Sequence, residues 1–168
     1  TEDDTRYQTE TVDLNGFTYD IALANGTYQV ELHFAEIWHG GYQDGVRVFD
    51  VAVEDQLLFD DLDIFSEVGA NTAFVAQATV EVQDGALTIE TSSGAQNPKI
   101  SAFSIWSTND VPSPNDFTEL VEAVNAGGAA YTSQDGVDYR ADDYWGGRRY
   151  SNPIEIAGTN DDVLYQSE

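Results

Sequence analysis

Apolar and polar residues alternate along most of this chain, the two-residue period of a β-strand with one buried face. Residues 17–23 alternate regularly, and Asn25-Gly26 then supplies a hairpin signal. Residues 27–36 follow, with Tyr28, Val30, Leu32 and Phe34 on one face. The next predicted strand is 46–53, with Val48 in register with Val46. Residues 74–82 and 87–91 flank Asp84-Gly85, a second hairpin signal. Over 99–106, Ile100, Ala102, Ser104 and Trp106 oppose Ser101, Phe103 and Ile105, so both faces carry apolar residues, as in a sandwich interior. Short strands, frequent turn signals and no long helical period predict an all-β fold built as an antiparallel β-sandwich.

The pattern breaks over 107–118, where Asn109-Asp110, Pro112, Pro114 and Asn115-Asp116 read as a linker. A short strand ending in Gly127-Gly128 follows, then a stretch rich in Asp, Tyr, Gly and Arg. The two ends repeat each other. Residues 1–10 read TEDDTRYQTE and residues 159–168 read TNDDVLYQSE, identical at six positions, with Ser167 for Thr9 a near seventh. This predicts a tandem array sampled from mid-domain to mid-domain, or a circular permutant with overlapping ends. Both end segments then belong to the same place in the fold, so one copy completes the sandwich and the other is free, disordered or inserted into a neighbour, the last giving a head-to-tail surface fibre or filament by strand exchange. Thr1, Tyr7, Glu10, Thr159, Tyr165 and Glu168 are the expected assembly residues.

Charge changes the picture more than size does. Thirty-one acidic residues face six basic ones, a net of −25, and the acids are scattered along the whole chain. Such a surface repels itself in dilute salt and is screened in concentrated salt, as in halophiles. It makes nucleic acid and anionic membranes poor partners. With no Cys, disulfides and thiolate metal sites are excluded. No apolar run reaches membrane-spanning length, so no direct membrane insertion is expected. An exported fragment would have this composition, and so would a cytosolic one.

Reordered as 119–168 followed by 1–106, the chain shows in succession 123–128 (AVNAGG), 163–168 (VLYQSE) or its counterpart 7–10 (YQTE), 26–36 (GTYQVELHFAE), 47–51 (RVFDV), 61–64 (DLDI) and 97–100 (NPKI). In these pieces and their order it resembles the malectin family of carbohydrate-binding domains. The resemblance implies a jelly-roll-like β-sandwich without catalytic residues, an extracellular or cell-surface setting, and a carbohydrate partner, glucan or surface glycan. It implies that 1–106 is the C-terminal part of one repeat and 119–168 the N-terminal part of the next. The family's aromatic pair after the Phe-Ala-Glu strand falls on Trp38 and His39, and its loop tyrosine on Tyr150. A further family tyrosine is replaced by Thr11, and the acidic residue before Asn-Pro by Gln96.

Each candidate has a plainer reading beside the functional one. Trp38, His39 and Tyr42, flanked by Gly40 and Gly41, form either a sugar-stacking platform or a loop packed on its own sandwich or on the next repeat. Tyr144, Trp145 and Tyr150 lie among Arg148 and Arg149: a binding rim or an inter-domain contact, or arginines that neutralise Asp142 and Asp143. Asp60, Asp61 and Asp63, the pair Asp3-Asp4 and the pair Asp161-Asp162 offer oxygen ligands for a structural calcium, or simply a solvated surface. Asn25 heads the only glycosylation sequon, at an expected hairpin tip. His33 reads as structural. Glu36 and Asp50 are the one conceivable glycosidase pair, in a chain where carboxylates are everywhere.

Overall fold

The computed structural model describes residues 3–108, 117–144 and 148–159. Among the described residues thirteen strands form in chain order: β1 (Thr9–Val12), β2 (Phe17–Ala22), β3 (Gly26–Phe34), β4 (Val48–Val53), β5 (Gln56–Leu62), β6 (Phe74–Val82), β7 (Ala86–Ala95), β8 (Lys99–Ile100), β9 (Ala102–Thr108), β10 (Phe117–Asn125), β11 (Tyr131–Thr132), β12 (Asp138–Ala141) and β13 (Arg148–Ser151). A short α-helix, α1 (Ile64–Val68), is capped by Asp63, whose Oδ1 accepts the Ser66 amide.

A six-stranded sheet in the order β11-β12-β10-β9-β3-β6 faces a four-stranded sheet in the order β2-β7-β4-β5. Their inner faces close one core. Val30, Leu32 and Phe34 of β3 meet Phe49, Val51 and Val53 of β4, with Tyr19 and Ile21 of β2 and Leu87 and Ile89 of β7. The all-β sandwich thus stands as the alternation predicts. A third sheet has the order β13-β1-β8. A second apolar cluster covers the outer face of the larger sheet: Ala102, Ala123, Val137 and Tyr139, with Trp106 against them.

Several local expectations change. The two expected hairpins, at Asn25-Gly26 and Asp84-Gly85, are crossovers from one sheet to the other, since β2 and β7 pair with each other while β3 pairs with β6. Leu23 N–H donates to the Gly85 carbonyl and Asn25 Nδ2 to the Gln83 carbonyl, so the two crossovers brace each other. The tight hairpin is instead β4–β5, which turns at Glu54-Asp55 with Glu54 in the left-handed region at φ 49° and no glycine. Val46 lies before β4, and Phe49, Val51 and Val53 face the core instead of Val48. At Ser101 the alternation slips: its amide donates to the His33 carbonyl and its carbonyl accepts from Ala126. Ile100 consequently joins Phe103 and Ile105 in the main core, while Ala102 and Trp106 face the outer cluster.

The two stretches on either side of 107–118 build the same sheets. β10 pairs antiparallel with β9, and β13 pairs with β1. Both ends of the expected linker are paired, Thr108 opposite Phe117. Residues 109–116 lie outside the described part.

Candidate functional site

The loop after β3 begins Ala35-Glu36-Ile37, all buried, then leaves Trp38 half-buried and exposes His39 and Gly40. Glu36 organises it. One carboxylate oxygen accepts the Trp38 amide at 3.0 Å and the other accepts Arg47 Nε at 2.6 Å. Gly41 lies on that carboxylate so closely that a Cβ there would stand 2.7 Å from its carbon. The Arg47 guanidinium lies 5.6 Å from the Trp38 ring centroid and donates to the Asn97 carbonyl. The charge chain continues inward: Lys99, fully buried, stands 3.8 Å from Glu36 and pairs with Glu10 on its other side. Burial raises the Glu10 carboxyl above its ordinary range, against the lowering pull of Lys99 and Arg47. Two cations thus balance two anions out of water, the condition under which buried charge is tolerated. Three of the six cations of a very acidic chain, Arg6, Arg47 and its only lysine, are buried, and two of them serve this network.

A cleft of about 140 Å³ opens on this network. Trp38 and Arg47 form one side, Gln96 and Asn97 of the β7–β8 turn another, and Glu10, Val12 and Tyr150 of the β1–β13 pair the third. Asn152 Nδ2 donates to the Ile37 carbonyl, tying the Trp38 loop to the strand that carries Tyr150. The Asn97 side-chain oxygen is buried and has no hydrogen-bond partner among the described residues.

Three expected site residues therefore converge: Trp38, Gln96 and Tyr150. The others go elsewhere. His39 is exposed, its ring 4.8 Å from that of Tyr42. Tyr42 stacks on Phe65 and donates to Asn71 Oδ1 at 2.6 Å. Tyr144 turns toward the core, edge-on to Tyr19, with the Arg140 guanidinium 4.6 Å from its ring centroid. Trp145 lies outside the described residues. Of the expected neutralising pairs, Arg149 donates to the Asp142 backbone carbonyl, and Asp143 is served by Arg140. The Asp142 carboxylate instead gathers Thr11, Tyr19 and the Gly127 amide on one oxygen and the Tyr144 amide on the other.

Glu36 and Asp50 take different partners: Glu36 is locked to Arg47, while Asp50 is held below its usual range by the Asp61 amide and the Ser92 hydroxyl. Asp50, Asp60 and Asp61 bring carboxylate oxygens within 4.8 Å of one another on the surface, whereas Asp63 caps α1. Asp4 is buried, and Asp161 and Asp162 lie outside the described residues. Asn25 is exposed, with its amide nitrogen bonded to Gln83. Among the expected assembly residues, Tyr7 and Glu10 are buried and Thr159 donates to Asp4 Oδ1 at 3.0 Å; Thr1, Tyr165 and Glu168 are not described. Sequence reasoning missed Arg47, Asn97 and Lys99 as parts of the site. The available signal was a lone lysine between a proline and an apolar strand.

Residues 1–107 match the family model described as the malectin domain. The chain belongs to the malectin family. It is 36% identical to Malectin-B of Xenopus laevis over 90 residues, covering 53% of this chain and 32% of that protein. It is 34% identical to malectin of Homo sapiens over 90 residues, covering 53% and 30%. It therefore spans under a third of the length of these malectins. Among solved structures, the plant receptor-like kinase FER shares the fold with a TM-score of 0.55 at 19% identity, over 82% of this chain and 41% of that one. A β-glucuronidase of Bacteroides uniformis does so with a TM-score of 0.53 at 15% identity, over 62% of this chain and 12% of that one.

Proposed function

We propose that this malectin-family domain is a non-catalytic carbohydrate-binding module, and that the cleft between Trp38, Gln96 and Tyr150 takes the sugar. The convergence of these three residues from separate parts of the chain carries the reading. Trp38 offers aromatic area for the apolar face of a pyranose. Gln96, Tyr150 and the unpartnered Asn97 oxygen offer hydrogen bonds to hydroxyls. The balanced charges beneath favour a neutral sugar over a charged one. The cleft is smaller than the ~300 Å³ at the low end of small-molecule pockets, so it suits one ring of a longer glycan, with weak affinity.

The acidic surface supports an exported, salt-adapted setting, and the repeated end segment supports a tandem array. Among the described residues no helix is long and apolar enough to cross a membrane. The test is a glycan array with the wild type, Trp38→Ala and His39→Ala. Trp38→Ala is expected to weaken every responsive glycan tenfold or more, and His39→Ala by less than twofold. Unchanged binding in Trp38→Ala would remove the assignment.

A further inference from the structure

The segment 3–10 lies in a slot that reads it residue by residue. The Tyr7 hydroxyl stands 3.0 Å from His33 Nδ1. Gln8 Nε2 donates to the Ile154 carbonyl at 2.9 Å, and Thr9 Oγ1 donates to Asn125 Oδ1 at 2.9 Å. Glu10 pairs with Lys99 beside the cleft. Gly127 and Gly128 make room: a Cβ on the first would meet the Glu10 carbonyl at 2.4 Å, and on the second the Thr9 hydroxyl at 2.5 Å.

Three of the four side chains 7–10 recur later in the chain, and the fourth, Thr9, keeps its hydroxyl as a serine. Tyr7, Gln8, Thr9 and Glu10 have counterparts in Tyr165, Gln166, Ser167 and Glu168, and buried Asp4 in Asp162. Among the buried side chains of the segment only Arg6 changes, to Leu164. Arg6 donates to the Tyr139 hydroxyl, lies 5.2 Å from that ring's centroid and stands 3.8 Å from Asp135, so a leucine would give up the hydrogen bond, the cation–π contact and the ion pair and keep apolar packing on the same ring.

The path of the chain points the same way. After β13, Asn152 donates its amide to the Gln8 carbonyl, Ile154 accepts from Gln8, and Thr159 bonds Asp4. Residues 152–159 thus run antiparallel to 8–4 and arrive at the beginning of the slot. A reversal at Thr159 would send the following residues along the direction of 1–10.

We propose that this slot is a peptide-binding site with a second occupant encoded in the same chain: residues 159–168, whose Glu168 then replaces Glu10 beside the cleft. The source is the same molecule, because a short tether gives an effective concentration of order millimolar, above that of free copies in dilute solution. Only the role of Glu168 at the cleft rests on the sugar-binding reading; the exchange itself does not.

The absence of cysteine makes the test clean. Thr9 and Ser151 are opposite each other in the β1–β13 register. The full chain carrying Thr9→Cys and Ser151→Cys reports the first occupant, and Ser151→Cys with Ser167→Cys reports the second. Both pairs are oxidised at micromolar concentration, the second pair also in a Tyr7→Ala, Glu10→Ala background that weakens the first occupant. Both are expected to close within single chains, and the second pair to close at least twice as completely in the weakened background. Cross-links only between chains would overturn the intramolecular source. No closure of the second pair in either background, while the control pair closes, would overturn the second occupant. Neither readout depends on sugar, so failure here is distinguishable from failure of the binding assignment.

Discussion

His33 faces two tyrosine hydroxyls, Tyr7 at 3.0 Å from one ring nitrogen and Tyr139 at 3.4 Å from the other. Burial, helped by the Arg6 cation and opposed by Asp135, lowers its pKa to about 3. In the unfolded chain it titrates near ~6.5. Between those values the unfolded chain binds a proton that the folded chain refuses, so the contribution of His33 is whole above ~6.5 and falls away as pH drops toward 3. Glu10 works in the opposite sense: its raised carboxyl keeps a proton that the unfolded chain loses above its ordinary value, so its contribution falls as pH rises through that range. Comparison with His33→Gln isolates the histidine. The stability advantage of the wild type over the variant is expected to shrink by ~1.4 kcal/mol per pH unit below pH 6, measured by denaturant unfolding. A constant difference would mean that His33 is protonated in the fold.

Among elements, the turn at Gly127 bears on the site because it lets the chain after β10 pass against Glu10. Gly127 has φ 68° and faces the Glu10 carbonyl, whereas Gly136 has φ 85° with open space around it. Both substitutions to alanine meet the left-handed conformation, but only Gly127→Ala also meets backbone. Gly136→Ala is expected to cost ~1 kcal/mol and Gly127→Ala at least twice that, by thermal or denaturant unfolding. Equal costs would mean that the contact with Glu10 is not held.

The strands themselves were legible, because β2, β3, β6 and β9 alternate cleanly between a buried and an exposed or outer face. Their partners were not. Asn25-Gly26 and Asp84-Gly85 have the local chemistry of hairpins, yet the strands they join belong to different sheets, and local sequence does not encode which strand a turn delivers its chain to. The slip at Ser101 was hidden for a similar reason: its cause is a hydrogen bond to His33, distant in sequence. Trp38, Gln96 and Tyr150 were legible through family resemblance. Arg47, Lys99 and Glu10 were not, because buried ion pairing depends on which charges the fold brings together. Tyr144 misled because an aromatic residue near arginines reads alike at a rim and at the edge of a core.

For the whole molecule, the −25 charge sets the conditions under which these contacts count. The screening length falls from ~10 Å at 0.1 M salt to ~3 Å at 1 M, which suppresses repulsion among surface carboxylates and leaves the buried pairs nearly untouched. Thermal unfolding is expected to rise by ~5 °C or more between 0.1 and 2 M sodium chloride, given ~2–4 °C per kcal/mol at this size. A flat midpoint would show that the acidic surface does not strain the fold.

The most direct test of the sugar-binding assignment is an NMR titration of the indole N–H signals with a glycan that binds, in concentrated salt. The chain has three tryptophans, and Trp106 has its indole N–H bonded to Ser104 Oγ at 3.0 Å, apart from the cleft. The Trp38 signal, assigned with Trp38→Phe, is expected to shift in proportion to sugar bound while that of Trp106 stays in place. A binding glycan that leaves the Trp38 signal unmoved would contradict the assignment of this cleft.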